Sequence, residues 1–391
     1  MGDKDAENRE QLRLSHDGGM TRRRFVQLGG MTALGLIAGG LPALSGCRSE
    51  AGDRIFRGER TITDHAGRTM TVPMPKNIER IYGGHIYTFS LNPDIIAGSP
   101  YYFTKEELAY LPEGTGDLTV LGSMGGDVEL DLELLMQMDI QIMFFITNLP
   151  ITASDISIAN DFQEMTGIPS PIIDASFENI VAAYELLGDI LGCEGRAKRI
   201  GDYCANIYQK VTTALAPVKD EDRVSVYYAE GPFGLSTEPD TSNHALAFEV
   251  AKARNVAASV PLLDAGYGMT GVSLESVIKW DPEVIIAWDD VIRGGADEII
   301  RTNRDWSDIR AVKTGRVYTM PNAPFAWLDR PPSVNRFLGI QWVANMLYPD
   351  LYDVDMVEVV KEFYDMLYWV QITDEQALDL LGNSYPPYRG K

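Results

Sequence analysis

Histidine, arginine and the large aromatics are the residues of this chain whose types and spacing suit the recognition of a bound molecule. Several short apolar runs read as strands, and ligands of open α/β sheets sit in the loops at the carboxyl ends of strands. That rule selects His85 and Tyr87 after the first core strand, and Tyr101 and Tyr102 after the second. In the second half it selects Tyr228 and Glu230 with the nearby His244, then Trp327 and Arg330. Tyr267 lies in a glycine-rich stretch, residues 265–269, within reach of the same gap. Aromatic faces suit a flat macrocycle or a catecholate or hydroxamate shell, and a guanidinium forks onto a carboxylate. Taken singly, each aromatic is better explained by core packing. The group is better explained by a cleft.

After Cys47 the histidines are His65, His85 and His244. His65 falls in a hairpin turn and reads as solvated. His85 and His244 fall in opposite halves, so closure of the halves brings them to one ligand. A bare metal ion usually wants three or four protein ligands, and neither His-x-His nor Cys-x-x-Cys spacing occurs. The histidines are therefore expected to touch a chelated ligand, with no free-ion cage. Cys193 and Cys204 are eleven helical residues apart, roughly 16 Å and well beyond disulfide reach. No Gly-x-Ser-x-Gly elbow, Walker-type loop or His-Glu-x-x-His is present, so no catalytic set is expected. A metal-dependent redox enzyme is the second reading, and an exported ligand sensor the third.

These side chains need a frame, and residues 176–216 organise it. Apolar residues recur there at gaps of three and four, from Phe177 through Leu191 and from Ala197 through Leu215, which marks amphipathic helix. Gly192 and Gly195 divide it, and Asp174 and Ser176 are the capping-type residues in front. Before this strut, residues 61–72 read as a hairpin around His65-Ala66-Gly67. Strands are expected at residues 79–82, 94–97, 119–121, 141–146 and 169–173, with helices at 130–138 and 154–165. Beyond it, strands are expected at 223–228, 284–288 and 316–320, with helices at 242–253, 274–279, 334–347, 357–370 and 375–381. Two α/β lobes on either side of a connecting helix, an arrangement suited to holding a cleft, is the fold this pattern predicts. One weak repeat supports it. Residues 131–139 align without gaps to residues 273–281, placing Glu133 opposite Glu275, and each segment is followed by a strand.

The first 46 residues read as an export signal. Thr21-Arg22-Arg23-Arg24-Phe25 resembles a twin-arginine motif, and a mildly apolar run follows it that is short for a membrane span. Leu44-Ser45-Gly46-Cys47 resembles a lipobox, which makes Cys47 the lipidation site. Residues 47–60 are then a tether, 61–175 the first lobe, 176–216 the connecting segment and 217–391 the second lobe. With 391 residues and a formal net charge of −22, the chain repels phosphate backbones, so nucleic acid is an unsuitable partner.

Taken together, Ile62-Thr63-Asp64-His65-Ala66-Gly67-Arg68, Pro75-Lys76-Asn77-Ile78-Glu79-Arg80-Ile81, the two Leu-Glu…Asp…strand units and Trp306-Ser307-Asp308-Ile309-Arg310-Ala311-Val312-Lys313-Thr314-Gly315-Arg316-Val317-Tyr318 resemble the substrate-binding proteins of ABC importers. The class is the one serving ferric siderophores, haem and cobalamin, and the likeness covers nearly everything from Thr61 onward. The resemblance implies two Rossmann-like lobes joined by a connecting helix with the ligand cleft between them, in a monomer with no intrinsic cofactor, outside the cytoplasmic membrane, delivering a ferric siderophore, haem or corrinoid to a permease with its ATPase. It also implies that Glu133 and Glu275 dock onto that permease. Their local role as acidic residues at helix starts is worth about 0.3–1 kcal/mol each. Gly83-Gly84-His85-Ile86-Tyr87 and the segment Ala323-Pro324-Phe325-Ala326-Trp327-Leu328-Asp329-Arg330-Pro331-Pro332-Ser333 depart from the commonest pattern.

Overall fold

The computed structural model describes residues 58–384, apart from residues 125–127, 263–268, 289–293, 329 and 332. The export signal, Cys47 and Tyr267 lie outside the described residues, as does the side chain of His85. Among the described residues no helix is long and apolar enough to cross a membrane.

The chain enters through the antiparallel hairpin of β1 (Glu59–Thr63) and β2 (Thr69–Pro73). Glu59 and Arg60 are already paired strand, so the tether ends earlier than the sequence suggests. Asp64 shapes the turn by accepting from the Ala66 and Arg68 amides. His65 is not simply solvated: its Nδ1 accepts from the Asp174 amide at 3.0 Å.

The first lobe carries short parallel strands, β3 (Ile81–Tyr82), β4 (Gly98–Ser99), β5 (Thr119–Val120), β6 (Ile142–Met143), β7 (Phe145–Thr147) and β8 (Ile172–Asp174). They pair as β3 with β6, β4 with β5 and β7 with β8. Helices α1 (His85–Leu91), α2 (Leu132–Gln137) and α3 (Ala153–Thr166) cover them. Gly83 makes the turn from β3 into α1 at φ +81°, where a Cβ would lie 2.3 Å from the Phe144 carbonyl oxygen. Residues 94–97 do not form the expected strand. The Asn92 side chain accepts from the Asp94 amide and starts a tight turn, Pro93–Ile95, so the strand waits until Gly98. Local side-chain bonding of this kind competes with strand formation.

The strut is two helices, α4 (Ile180–Leu191) and α5 (Glu194–Ala214). Gly192, at φ 70°, ends α4, whereas Gly195 sits inside the first turn of α5. Their buried stripes follow the spacing read from sequence: Ile180, Ala183, Tyr184 and Leu187, then Ala197, Ile200, Cys204, Ile207 and Val211. The helix start differs from expectation. Asn179 is the N-cap and makes no side-chain cap bond; Asp174 instead accepts from the Ser176 amide and the Asn179 side chain, ordering the turn before it. Cys193 and Cys204 are free thiols.

The second lobe contributes β9 (Ser225–Ala229), β10 (Ser236–Thr237), β11 (Arg254–Asn255), β12 (Thr270–Gly271), β13 (Val284–Trp288) and β14 (Val317–Met320). Four of these form a parallel sheet in the order β11-β9-β13-β14, and β10 pairs antiparallel with β12. Every residue of β9 and β13 is buried, as expected of parallel strands covered on both faces. The helix expected at 242–253 is shorter, a turn at Asn243–Ala245 followed by α6 (Leu246–Val250). Helix α7 (Leu274–Trp280) leads into β13.

The chain ends in α8 (Arg336–Leu347), α9 (Met356–Tyr368) and α10 (Asp374–Leu381). All twelve residues of α8 are buried, so it shows no polar face. Behind α9 the chain returns to the first lobe. The Trp369 indole donates to the Phe89 carbonyl at 3.2 Å, and Arg196 donates to the Ser90 and Met366 carbonyls at 2.6 and 2.7 Å. The Arg196 guanidinium stacks 3.4 Å above the Trp369 ring.

Candidate ligand site between the lobes

The carboxyl ends of the second lobe's strands gather one charged cluster. After β9, Glu230 forms a reciprocal backbone pair with Ser236, closing a reversal through Gly231 (φ 73°) and Gly234 (φ 69°). The reversal brings Glu238 back beside Glu230, and both are fully buried at 0% exposure. Arg330, from the segment after β14, lies between them. Its Nε and Nη2 donate to Glu230 Oε1 at 2.9 and 2.8 Å, and Nη2 donates to Glu238 Oε1 at 2.5 Å. Its Nη1 is 3.5 Å from His244 Nε2, and the guanidinium carbon is 4.9 Å from the centre of the Trp288 ring. His244 is set by a Ser242 cap, whose Oγ accepts the His244 amide at 3.1 Å. Glu238 Oε1 also accepts the Met269 amide at 2.6 Å, which ties the end of β12's approach to the cluster.

The segment carrying Arg330 is braced from behind. The Tyr364 hydroxyl donates to the Ala323 carbonyl, and the Tyr368 hydroxyl to Asn335 Oδ1. Asn335 Nδ2 donates to the Phe325 carbonyl at 3.2 Å, and the Ala326 amide to the Arg330 carbonyl at 3.1 Å. The Ala323–Pro324 and Arg330–Pro331 peptides are cis. Helix α8 passes close beneath, with Gly339 so near Trp327 that a Cβ would lie 2.3 Å from its carbonyl oxygen.

The residues picked from sequence separate into distinct places. Glu230, His244 and Arg330 come together as described. Tyr228 is core, packed on Phe248 at 5.3 Å with its hydroxyl 3.9 Å from Met320 Sδ. Trp327 is also core, its indole donating to the Tyr364 hydroxyl at 3.3 Å. Tyr87 is buried in the first lobe, donating to Asn148 Oδ1 at 2.6 Å, and burial pushes its phenol up to about 12. An aromatic near a strand end says nothing about which face it presents, and these three present the inner one. Tyr101 is half-buried edge-on against Phe103, which in turn meets Phe325 of the other lobe at 6.0 Å. Tyr102 is 79% exposed. His85 opens α1. Glu133 and Glu275 are exposed in the first turns of α2 and α7, behind the N-caps Asp131 and Ser273. The Glu275 backbone amide and the Ser273 hydroxyl hold its carboxyl below the usual range.

Glu238 and Trp288 were missed by reading the sequence. Trp288 ends a strand and obeys the same rule that selected Tyr228. The signal for Glu238 was the Gly231-Pro232-Phe233-Gly234 reversal, which sends the chain back to the strand end it has just left. Arg330 is not the unpartnered fork the sequence suggested, because two carboxylates already hold it. Among the described residues no group of three or more His, Cys, Asp and Glu could hold a metal ion.

This fold has known counterparts. Residues 163–324 match the family model described as periplasmic binding protein. The molybdate-binding protein MolA of Haemophilus influenzae is 34% identical over 166 residues, 42% of this chain and 44% of that relative. The match thus spans less than half the length of the curated relative. An ABC transporter solute-binding protein from Sulfurospirillum deleyianum superposes with a TM-score of 0.74 at 27% identity, covering 82% of this chain and 98% of that one. MolA solved with molybdate bound gives 0.62 at 22% identity, over 80% and 99% of the two chains. The chain thus has the fold of a solute-binding protein along nearly its whole described length, and residues 163–324 carry the sequence pattern of the periplasmic binding protein family.

Proposed function

We propose that the chain is the extracytoplasmic solute-binding component of an ABC importer, anchored by lipid on Cys47, and that it carries a metal-containing solute to a permease. The observation that supports this most is the cluster of Arg330, Glu230, Glu238 and His244 at the carboxyl ends of β9 and its neighbours, the place where open α/β sheets bind ligands. Similarity to a molybdate-binding relative favours a metal-centred solute. A ferric siderophore, haem or corrinoid, or a metal oxyanion, all fall within that class. In this reading Glu133 and Glu275 meet the permease from the two lobes.

The deciding experiment is metal analysis and native mass spectrometry of the protein purified from its own host, with capture of a permease in detergent. A co-purifying metal complex and a captured permease are expected. Protein that never retains or binds a metal-containing solute would overturn the reading. For the anchor, Cys47→Ala is expected to move the protein out of the detergent phase, and unchanged partitioning would remove the lipid.

A further inference from the structure

The structure holds two arginines beside the carboxyl ends of strands, and they are partnered in opposite ways. Arg330 has two carboxylates. Arg336, six positions later, has none, although it is the first residue of α8 and only 3% exposed. Its Nη2 donates to the Ala175 carbonyl, just past the carboxyl end of β8. Its guanidinium carbon lies 4.2 Å from the centre of the Phe177 ring and 5.6 Å from that of Phe337. Nε and Nη1 have no acceptor among the described residues.

A buried ion without a partner costs several kcal/mol, which is why buried charges are normally paired. Ring faces and one carbonyl offset only part of that cost, since a cation over a ring contributes about 0.5–2 kcal/mol. Asp174 and Glu178 draw on the Arg336 charge from a distance, and neither is in contact with it. Arg60 and Arg68 each hold a carboxylate within reach, Asp189 and Asp64. Arg196 also lacks a carboxylate, but it is less buried and donates from Nε and Nη2 to two carbonyls; the surroundings of Arg336 belong to the ligand side of the first lobe. Tyr87, whose hydroxyl senses the Arg336 guanidinium, Asn148 and Ala175 follow β3, β7 and β8 at their carboxyl ends.

We infer that Arg336 is an anion receptor at the floor of the gap between the lobes, taking an oxyanion or a carboxylate that belongs to the solute. The inference rests on the importer reading above and narrows it to solutes with an anionic group. Nε and Nη1 supply three N–H donors for that group. Arg330, held by Glu230 and Glu238, keeps the opposite wall in shape.

The test uses the full chain and its Arg336→Met and Arg336→Lys variants. Sodium molybdate presents a free oxyanion, ferric citrate a chelate with carboxylates, and a ferric trihydroxamate a chelate with neither. Binding is followed by calorimetry and by the rise in melting temperature that any native-state ligand causes. Whichever anion binds the wild type is expected to bind Arg336→Met about ten- to a hundred-fold more weakly. Arg336→Lys is expected to fall between, because it keeps the charge and loses the planar fork. A response to molybdate identifies a free oxyanion, and a response to ferric citrate alone identifies a chelate's carboxylate. If Arg336→Met does not fold, the comparison of wild type with Arg336→Lys decides. A solute bound equally well by wild type and variants would overturn the inference and leave the importer reading standing. So would wild-type binding of the trihydroxamate with no response to either anion. A wild type that binds none of the three overturns the inference for oxyanions and carboxylate chelates and leaves the importer reading with haem or a corrinoid.

Discussion

Arg330 gives two N–H donors to a single oxygen of Glu230, Nε at 2.9 Å and Nη2 at 2.8 Å, and a third bond reaches Glu238. The fork that a solute carboxylate would need is already in use. Arg330 is therefore first a structural cation, joining the reversal after β9 to the segment after β14.

Removing it is expected to damage the fold rather than one contact. Arg330→Ala leaves Glu230 and Glu238 buried without their cation, a change that typically costs about 3–5 kcal/mol. Urea unfolding should show the midpoint falling by that amount, with solute binding lost in parallel. A normal midpoint with binding alone reduced would mean that Arg330 meets the solute after all.

Gly339→Ala is expected to act at a distance on the same cluster. The added methyl would sit 2.3 Å from the Trp327 carbonyl oxygen, so helix and segment must move apart. Such overpacking costs about 1–3 kcal/mol. Near-ultraviolet circular dichroism should report it, because Trp327 and Trp342 meet edge-on at 6.4 Å across this contact. An unchanged spectrum would show that the segment yields without cost.

Glu133 and Glu275 occupy matching first turns and carry no core load. Reversing either to Lys is expected to leave the melting temperature and solute affinity nearly unchanged while weakening permease capture. Exposed ion pairs are worth about 0–1 kcal/mol each, yet two made together gain from linkage. The double reversal should therefore be worse than either single change, and added salt should mimic it. Undiminished capture by the double mutant would leave both as residues that merely favour helix starts.

Glu283 ties the starts of β9 and β13 together. Burial works against its charge, but the Ser225 amide and hydroxyl at 2.9 and 3.0 Å, with Arg310 at 3.1 Å, hold its carboxyl below the usual value of 4.5. A lowered native value means that the ionised form stabilises the fold above the unfolded group's value. That contribution is lost as pH falls through the native one. Glu283→Gln should therefore lower stability near neutral pH and flatten its decline below about pH 4.5. Equal slopes in the two proteins on the acid side would dismiss the linkage.

How much of this was legible depended on whether a residue's neighbours in sequence were also its neighbours in space. The strut was readable because the apolar gaps of three and four at Ile180–Leu191 map directly onto its buried face. So were β13 and α7, whose caps and runs are local. Helix α8 showed its length but not its role, since a helix buried all round has no face to read. Glu230, His244 and Arg330 were found from strand ends, whereas the occupation of the Arg330 fork also depends on Glu238, which arrives by a reversal. Arg336 at a helix start reads as a solvent-facing residue, and only the packing of α8 under Phe177 buries it.

The clasp between Arg196, Trp369 and α1 has a consequence for the order in which the chain can finish folding. The bond from Trp369 to Phe89 joins residues 280 positions apart, so the first lobe to leave the ribosome is closed by residues made much later. Until those arrive, α1 is packed against Tyr184 of α4 but lacks its contact with Trp369. Contacts of such long sequence separation slow folding, because their loop entropy must be met before they form. Dividing the gene at the strut should accordingly yield two fragments that need each other, rather than two autonomous halves.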